Sequence, residues 1–348
     1  MSLFKKAEDD QAFLKMGILG FAGSGKTRTA SNTAIGLYKM LVEAGQKPNP
    51  VFFLDTETGS SWVKNYFEEE KIPLFTAKTR AFTDLLTATN DAQKEASILI
   101  VDSITHFWKE IVETFLRRKS ERIGRKVYRM EFQDWAAVKG EWGKFTDLYV
   151  NSSLHIIMCG RAGYEYDYFQ NDDGKKELEK TGIKMKAEGE LGFEPSLLVL
   201  MEKEMDVETK KVSRIANVLK DRADLIDGKQ FRNPTFKDFL PHMKRLNLGG
   251  VHVGVDTTRT SDSLIGEDGT TAREREYKER TIALEEIEAT LVSKYPSTGA
   301  ADKKAKLDIL QATFGSMSWE KISHMKADDL KAGLTKIRAE VTKEVKNG

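Results

Sequence analysis

The chain has 348 residues, with 55 Lys+Arg against 54 Asp+Glu for a net charge of +1, and 40% of its residues are hydrophobic. That length holds about two folding units; the apolar share excludes disorder throughout, and the charge balance excludes a whole-chain pull toward nucleic acid or anionic membrane. Cys159, the single cysteine, excludes an intrachain disulfide, no run approaches the ~18 apolar residues of a membrane span, and the N-terminal stretch has acids where a secretory signal is apolar, so the expectation is a cytoplasmic protein without membrane contact.

Short apolar runs alternate with longer amphipathic stretches from Met16 to Leu200, the pattern of a mostly parallel sheet with crossover helices. After an extension over residues 1–13, the run 16–21 leads into Gly20-Phe21-Ala22-Gly23-Ser24-Gly25-Lys26-Thr27. This fits G-x-x-x-x-G-K-[ST], between a strand and a predicted helix over 26–44. Closely spaced glycines let backbone N–H groups turn inward onto phosphate oxygens. On this reading Gly20, Gly23, Ser24 and Gly25 form the cradle, and Lys26 bridges the β- and γ-phosphates of ATP. Thr27 gives its hydroxyl to Mg²⁺, and Arg28 opens the helix beside them.

The run 51–55 (VFFLD) is followed by Thr56 and Glu57, which sets Glu57 just past a strand end, where it would orient an attacking water. A solvated loop acid is the alternative. A weaker run at 73–77 and a helix over 81–94 precede ILIVD at 98–102, which closes on Asp102 at a strand's carboxyl end, placed to hold Mg²⁺ through water. A helix over 105–122 runs into the stretch from Arg117 to Arg129, seven basic residues against one acid, Glu121. Arg117, Arg118, Lys119, Arg122, Arg125, Lys126 and Arg129 are therefore candidates for a phosphate backbone. A solvated helix end is the alternative. A helix over 132–149 and a strand over 154–159 follow, and then Tyr164, Tyr166 and Tyr168 alternate toward a predicted Asn171-Asp172-Asp173-Gly174 hairpin turn before Lys175 and Lys176. Tyr164 and Tyr166 are candidates for base stacking, with packing of the hairpin onto its own domain as the alternative. The last apolar run is 196–201.

Residues 246–270 are rich in Gly, Thr, Ser and Asp and read as a linker, and 271–348 as a small helical domain. Thr271 with Glu274 is a capping box, and Ile282, Leu284, Ile287, Leu291 and Val292 recur at helical spacing. Helical spacing resumes through Phe314 to a stop at Gly315, and two further short helices are expected from Trp319 onward. The five histidines show no metal-ligand spacing, and no G-x-S-x-G element occurs.

The loop GFAGSGKT, the strand ending LDTE and the strand ending ILIVDS, in this order, resemble the RecA-fold ATPases, most of all the small RecA-like ATPases of bacteriophage recombination modules. The resemblance implies an α/β P-loop NTPase core over 14–245, with a mostly parallel sheet, flanking helices and a C-terminal antiparallel hairpin. It implies ATP hydrolysis with Glu57 as base, single-stranded DNA as the polymer, and a homo-oligomeric ring or filament. It also implies that Lys220 and Arg222, a K-x-R pair, reach the γ-phosphate of a neighbouring subunit, with plain surface charge as the alternative. Arg161 is then a polar sensor or a structural ion pair, and the C-terminal helices dock a protein partner or regulate assembly. A P-loop kinase and a nucleotide-dependent switch or loader with little turnover are the rival functions.

Overall fold

The computed structural model describes residues 4, 6, 11–170, 176–248, 250, 252, 255, 261 and 271–345. The chain divides into two compact units, Met1–Val255 and Asp256–Gly348.

In the first unit the described residues form a nine-stranded sheet. Its elements are β1 (Lys15–Gly20), α1 (Lys26–Glu43), β2 (Val51–Asp55), α2 (Ser60–Glu69), β3 (Leu74–Lys78), α3 (Phe82–Glu95), β4 (Ile98–Asp102), α4 (Ile104–Ile123), α5 (Asp134–Asn151), β5 (His155–Gln170), β6 (Lys176–Met185), β7 (Leu197–Met205), β8 (Val212–Asp221), β9 (Gln230–Arg232) and α6 (Phe236–Met243). The strand order is β3-β2-β4-β5-β1-β7-β8-β9, with β6 paired to β5 beyond the sheet body. The strands from β3 through β7 in that order run parallel, whereas β6, β8 and β9 are antiparallel to their neighbours. This is the expected mostly parallel α/β sheet with an antiparallel C-terminal side.

Each central strand is apolar at successive positions because both of its faces are covered. Met16, Ile18, Phe53, Ile98, Ile100, Ile157 and Val199 face one core, shared with Ala30, Ala34 and Leu37 of α1 and Phe239 of α6. Leu19, Leu54, Leu99, Val101, Ile156 and Met158 face the other, shared with Phe107 of α4 and Trp142 and Phe145 of α5. Helix α1 comes so near α6 that a Cβ on Gly36 would meet Phe236 Cγ at 2.1 Å. The parallel register makes Gly20, Asp55 and Asp102 all strand-terminal residues at one pole of the sheet.

Two departures from the sequence reading stand out. Helix α2 was not expected: only Val63 and Phe67 of its apolar residues are buried, too few for a visible period. The strand expected to end at 159 continues without a loop to Gln170, because β6 pairs with its outer half from Ala162 onward. The turn expected at Asn171 to Gly174, with Lys175, lies outside the described residues.

The second unit holds α7 (Ala272–Lys294), α8 (Ala300–Phe314), α9 (Trp319–Ser323) and α10 (Ala327–Val345). Thr271 and Glu274 form a reciprocal capping box at the start of α7, and Gly315 ends α8 at φ 68. Ile287 and Leu291 join Leu310, Ile322, Leu330, Leu334 and Ile337 in its core, but Ile282 and Val292 are exposed. Helix α10 has 19 residues, where a short helix was expected.

Candidate functional site

The phosphate loop bridges β1 and α1 and opens onto a cleft of about 1020 Å³. Gly23 and Gly25 take φ of 71 and 99, left-handed values that favour glycine. Gly20 is demanded by space: a Cβ there would lie 2.4 Å from the Met201 carbonyl oxygen and 2.5 Å from Ser24 Oγ. Lys26 Nζ donates to the carbonyls of Gly20 (3.0 Å) and Phe21 (3.1 Å). Thr27 Oγ1 donates to Asp102 Oδ2 at 2.5 Å, which joins the loop to the end of β4. Burial raises the pKa of Asp102, against the pull of the Thr27 hydroxyl and Lys26.

The turn that carries Glu57 is built by Asp55. Its buried carboxylate accepts the N–H groups of Glu57 (2.9 Å), Gly59 (3.1 Å) and Ser60 (2.9 Å) and the Ser60 hydroxyl (2.5 Å). Burial pushes this carboxyl up, but those hydrogen bonds outweigh it and hold it below the usual range. Thr58 takes φ 63 to complete the turn. The Glu57 carboxylate receives Arg161 Nη2 at 2.9 Å and Nε at 3.1 Å on Oε1, and His106 Nε2 lies 3.5 Å from the same oxygen. Behind it, Thr56 Oγ1 lies 2.7 Å from His106 Nδ1 and accepts the Ser103 N–H. Burial lowers the pKa of His106, with Arg161 and Arg80 adding to it against Glu57. Of the two expectations for Arg161, the ion pair is the contact observed.

Lys26, Thr27, Arg28, Glu57 and Asp102 all line the cleft. Sequence reasoning missed several of their companions. Trp62, 82% exposed, and Tyr66 of α2 line it, and the Arg28 guanidinium stacks 3.2 Å over the Tyr66 ring. Lys186 and Arg214 line it from elements that follow β5. An aromatic pair three and seven residues after Gly59 was visible in the sequence; nothing local marked Lys186 or Arg214.

Lys220 and Arg222 lie elsewhere. Lys220 pairs with Leu198, which pairs with Gly17, so they occupy the pole of the sheet opposite the phosphate loop. Both donate to the Phe193 carbonyl. Asp221 between them is buried against His242 Nδ1 (2.6 Å) and the N–H groups of Ala223, Leu225 and Ile226. Burial opposes its ionisation, but these donors hold its pKa at about 2.

The basic stretch is exposed at Arg117, Arg118, Arg122, Arg125, Lys126 and Arg129. Lys119 departs from the expectation: it is only 9% exposed, and its ammonium is held by Asp134 (2.7 Å) and Glu131 (2.7 Å), so it pins α4 to α5. In the hairpin, Tyr164 and Tyr166 are both exposed, with ring centroids 6.4 Å apart. Tyr164 also packs on Phe21 of the phosphate loop, 5.2 Å between centroids, and carries Lys180 3.7 Å over its ring. Among the described residues, no helix is long and apolar enough to cross a membrane.

A cradle for ATP and Mg²⁺ fits these residues. Ser24 Oγ is buried in the loop without a hydrogen-bond partner, the Gly23 Cα faces open space, and a hydroxyl and a carboxylate meet at Thr27 and Asp102, oxygen donors of the kind Mg²⁺ takes. A family model described as an AAA domain matches residues 12–230. No curated protein matches the chain.

Proposed function

The chain belongs to the AAA-domain family, and on that premise we propose that it is a RecA-like ATPase acting on single-stranded DNA in phage-type recombination or annealing. Nucleotide binding and hydrolysis are the activities that go with such a domain. The observation that carries the reading is the convergence of Lys26, Thr27, Asp102 and Glu57, from three strand ends, on one cleft. Thr27 and Asp102 would hold Mg²⁺, which neutralises phosphate charge when bound. Lys26 is placed to exchange its carbonyl contacts for phosphate oxygens. Glu57, aimed by Arg161 and the Asp55 turn, is the group to orient and deprotonate the attacking water.

In this reading Lys220 and Arg222, remote from their own phosphate loop, serve a neighbouring subunit's nucleotide in a ring or filament, so that hydrolysis requires assembly. The exposed arginines around Arg117 to Arg129 hold the DNA backbone, while Tyr164 and Tyr166 offer stacking faces. The contact of Tyr164 with Phe21 supports a link between polymer and nucleotide, since both rings would have to shift together. The second unit is the part available to a protein partner.

The test is ATP turnover measured with and without single-stranded DNA while molecular mass is recorded in solution. We expect DNA-stimulated turnover by an oligomer and a loss of about a hundredfold or more in Glu57→Gln. Unchanged turnover in that variant refutes Glu57 as the base. Nucleotide binding with negligible turnover in the native chain identifies a switch instead.

A further inference from the structure

The phosphate-loop cleft contains a cation that none of the sequence motifs includes. Ala216 of β8 lies level with Met201 of β7, and Met201 with Gly20. Arg214, two residues nearer the loop on the same face of the strand, is thereby brought over it. Its stem rests on Gly25: a Cβ there would sit 3.3 Å from Arg214 Cδ and 3.4 Å from Cγ. Its backbone is fixed at both ends by Asn233, whose Oδ1 accepts the Arg214 N–H at 2.9 Å and whose N–H donates to the Arg214 carbonyl at 2.6 Å.

The guanidinium, by contrast, lacks the partners such a group needs. Nη1 is buried with no hydrogen-bond acceptor, and no carboxylate among the described residues pairs with Arg214. The two acids of the cleft are engaged, Glu57 by Arg161 and Asp102 by Thr27, whereas Lys26, Arg28, Arg161, Lys186 and Arg214 all line it. A guanidinium keeps its charge at any ordinary pH, and a buried N–H without an acceptor is costly. An anionic oxygen entering the cleft satisfies both the charge and the orphaned donor, and a phosphate oxygen matches the guanidinium fork.

We infer that Arg214 is a phosphate-binding residue acting within its own subunit, its guanidinium pairing with the polyphosphate chain of the nucleotide held by Lys26. The inference rests on the ATP reading of the cleft and adds to it a residue outside the loop motif. It separates the two ends of β8: Arg214 serves the strand's own loop, whereas Lys220 and Arg222 at the other end cannot reach it.

The test is equilibrium titration of the full chain with a fluorescent ATP analogue, with inorganic tripolyphosphate as competitor, for the native protein, Arg214→Gln, Arg214→Lys and Lys26→Ala. Glutamine keeps the Cγ and Cδ atoms that pack on Gly25 and removes the charge. Arg214→Gln should lose about tenfold or more in affinity for both ligands, and Arg214→Lys should recover part of it. Circular dichroism should match the native protein throughout. Binding by Arg214→Gln within about twofold of native, while Lys26→Ala binds nothing, overturns the role of Arg214 and leaves the ATP reading standing. Failure of the native chain to bind ATP overturns both. A readout on native protein is independent of any folding defect: ATP should protect Arg214 from phenylglyoxal, mapped by mass spectrometry, and equal modification with and without ATP overturns the assignment.

Discussion

His155 makes the fold acid-sensitive in a way that can be worked out in advance. It is 2% exposed at the start of β5, and its Nδ1 accepts the Leu14 N–H at 3.0 Å, which anchors the entry to β1. That bond requires an unprotonated Nδ1, and burial, reinforced by the nearby Lys15 ammonium, lowers the pKa from 6.5 to about 3. Because the folded pKa lies below the unfolded one, the unfolded chain binds more protons between those values. Stability is therefore intact above about pH 6.5 and is lost as pH falls toward 3. Between about pH 7 and pH 4 the loss from this one group is about 3 kcal/mol. His155→Asn keeps an acceptor near the Nδ1 position and does not titrate, so it should be destabilised by a constant amount yet lose about 3 kcal/mol less over that interval. Urea unfolding followed by tryptophan fluorescence at stepped pH measures both slopes. Parallel pH profiles for the two proteins would show that the reasoning is wrong.

Four other outcomes are expected. Gly36→Ala should destabilise the first unit by about 1–3 kcal/mol, since its Cβ has no space against the Phe236 ring, and the Phe236→Ala background should relieve the clash; thermal melts of the single and double variants check this. Neutralising Arg125, Lys126 and Arg129 should weaken single-stranded DNA binding and flatten its salt dependence. Lys119→Ala should instead lower the melting temperature without changing the salt slope, because it removes the ammonium that pairs the buried Asp134. If Lys220 and Arg222 act across an interface, mixing Arg222→Ala with Glu57→Gln protein should restore part of the ATP turnover that neither shows alone, and a mixture no better than its parts would count against an interfacial site.

The strands over 51–55 and 98–102 were legible to the residue because a strand buried on both faces reads as a continuous apolar run, and each run here closes on an aspartate. The phosphate loop was legible because the chemistry it performs leaves little freedom in residue type. Helix α2 was not, since two buried apolar side chains in ten residues make no period. Lys119 was read with its basic neighbours because charge runs are local, whereas the acids that claim it, Glu131 and Asp134, come from the next turn of chain and helix.

Local order along the chain thus determined the sheet's character, the phosphate loop and the acids at Glu57 and Asp102, because each is encoded in contiguous residues. Only the tertiary structure decided which distant groups complete the cleft. Arg161 reaches Glu57 across 104 positions and Arg214 lies on Gly25 from the second strand beyond the loop's own. It also decided that Lys220 and Arg222, on the strand that brings Arg214 in, face away from the loop. The reason is geometric: a strand rises about 3.3 Å per residue, so six positions along β8 separate the two poles of the sheet by about 20 Å. Motif spacing records order along a chain, and the register of paired strands fixes which end of it each side chain serves.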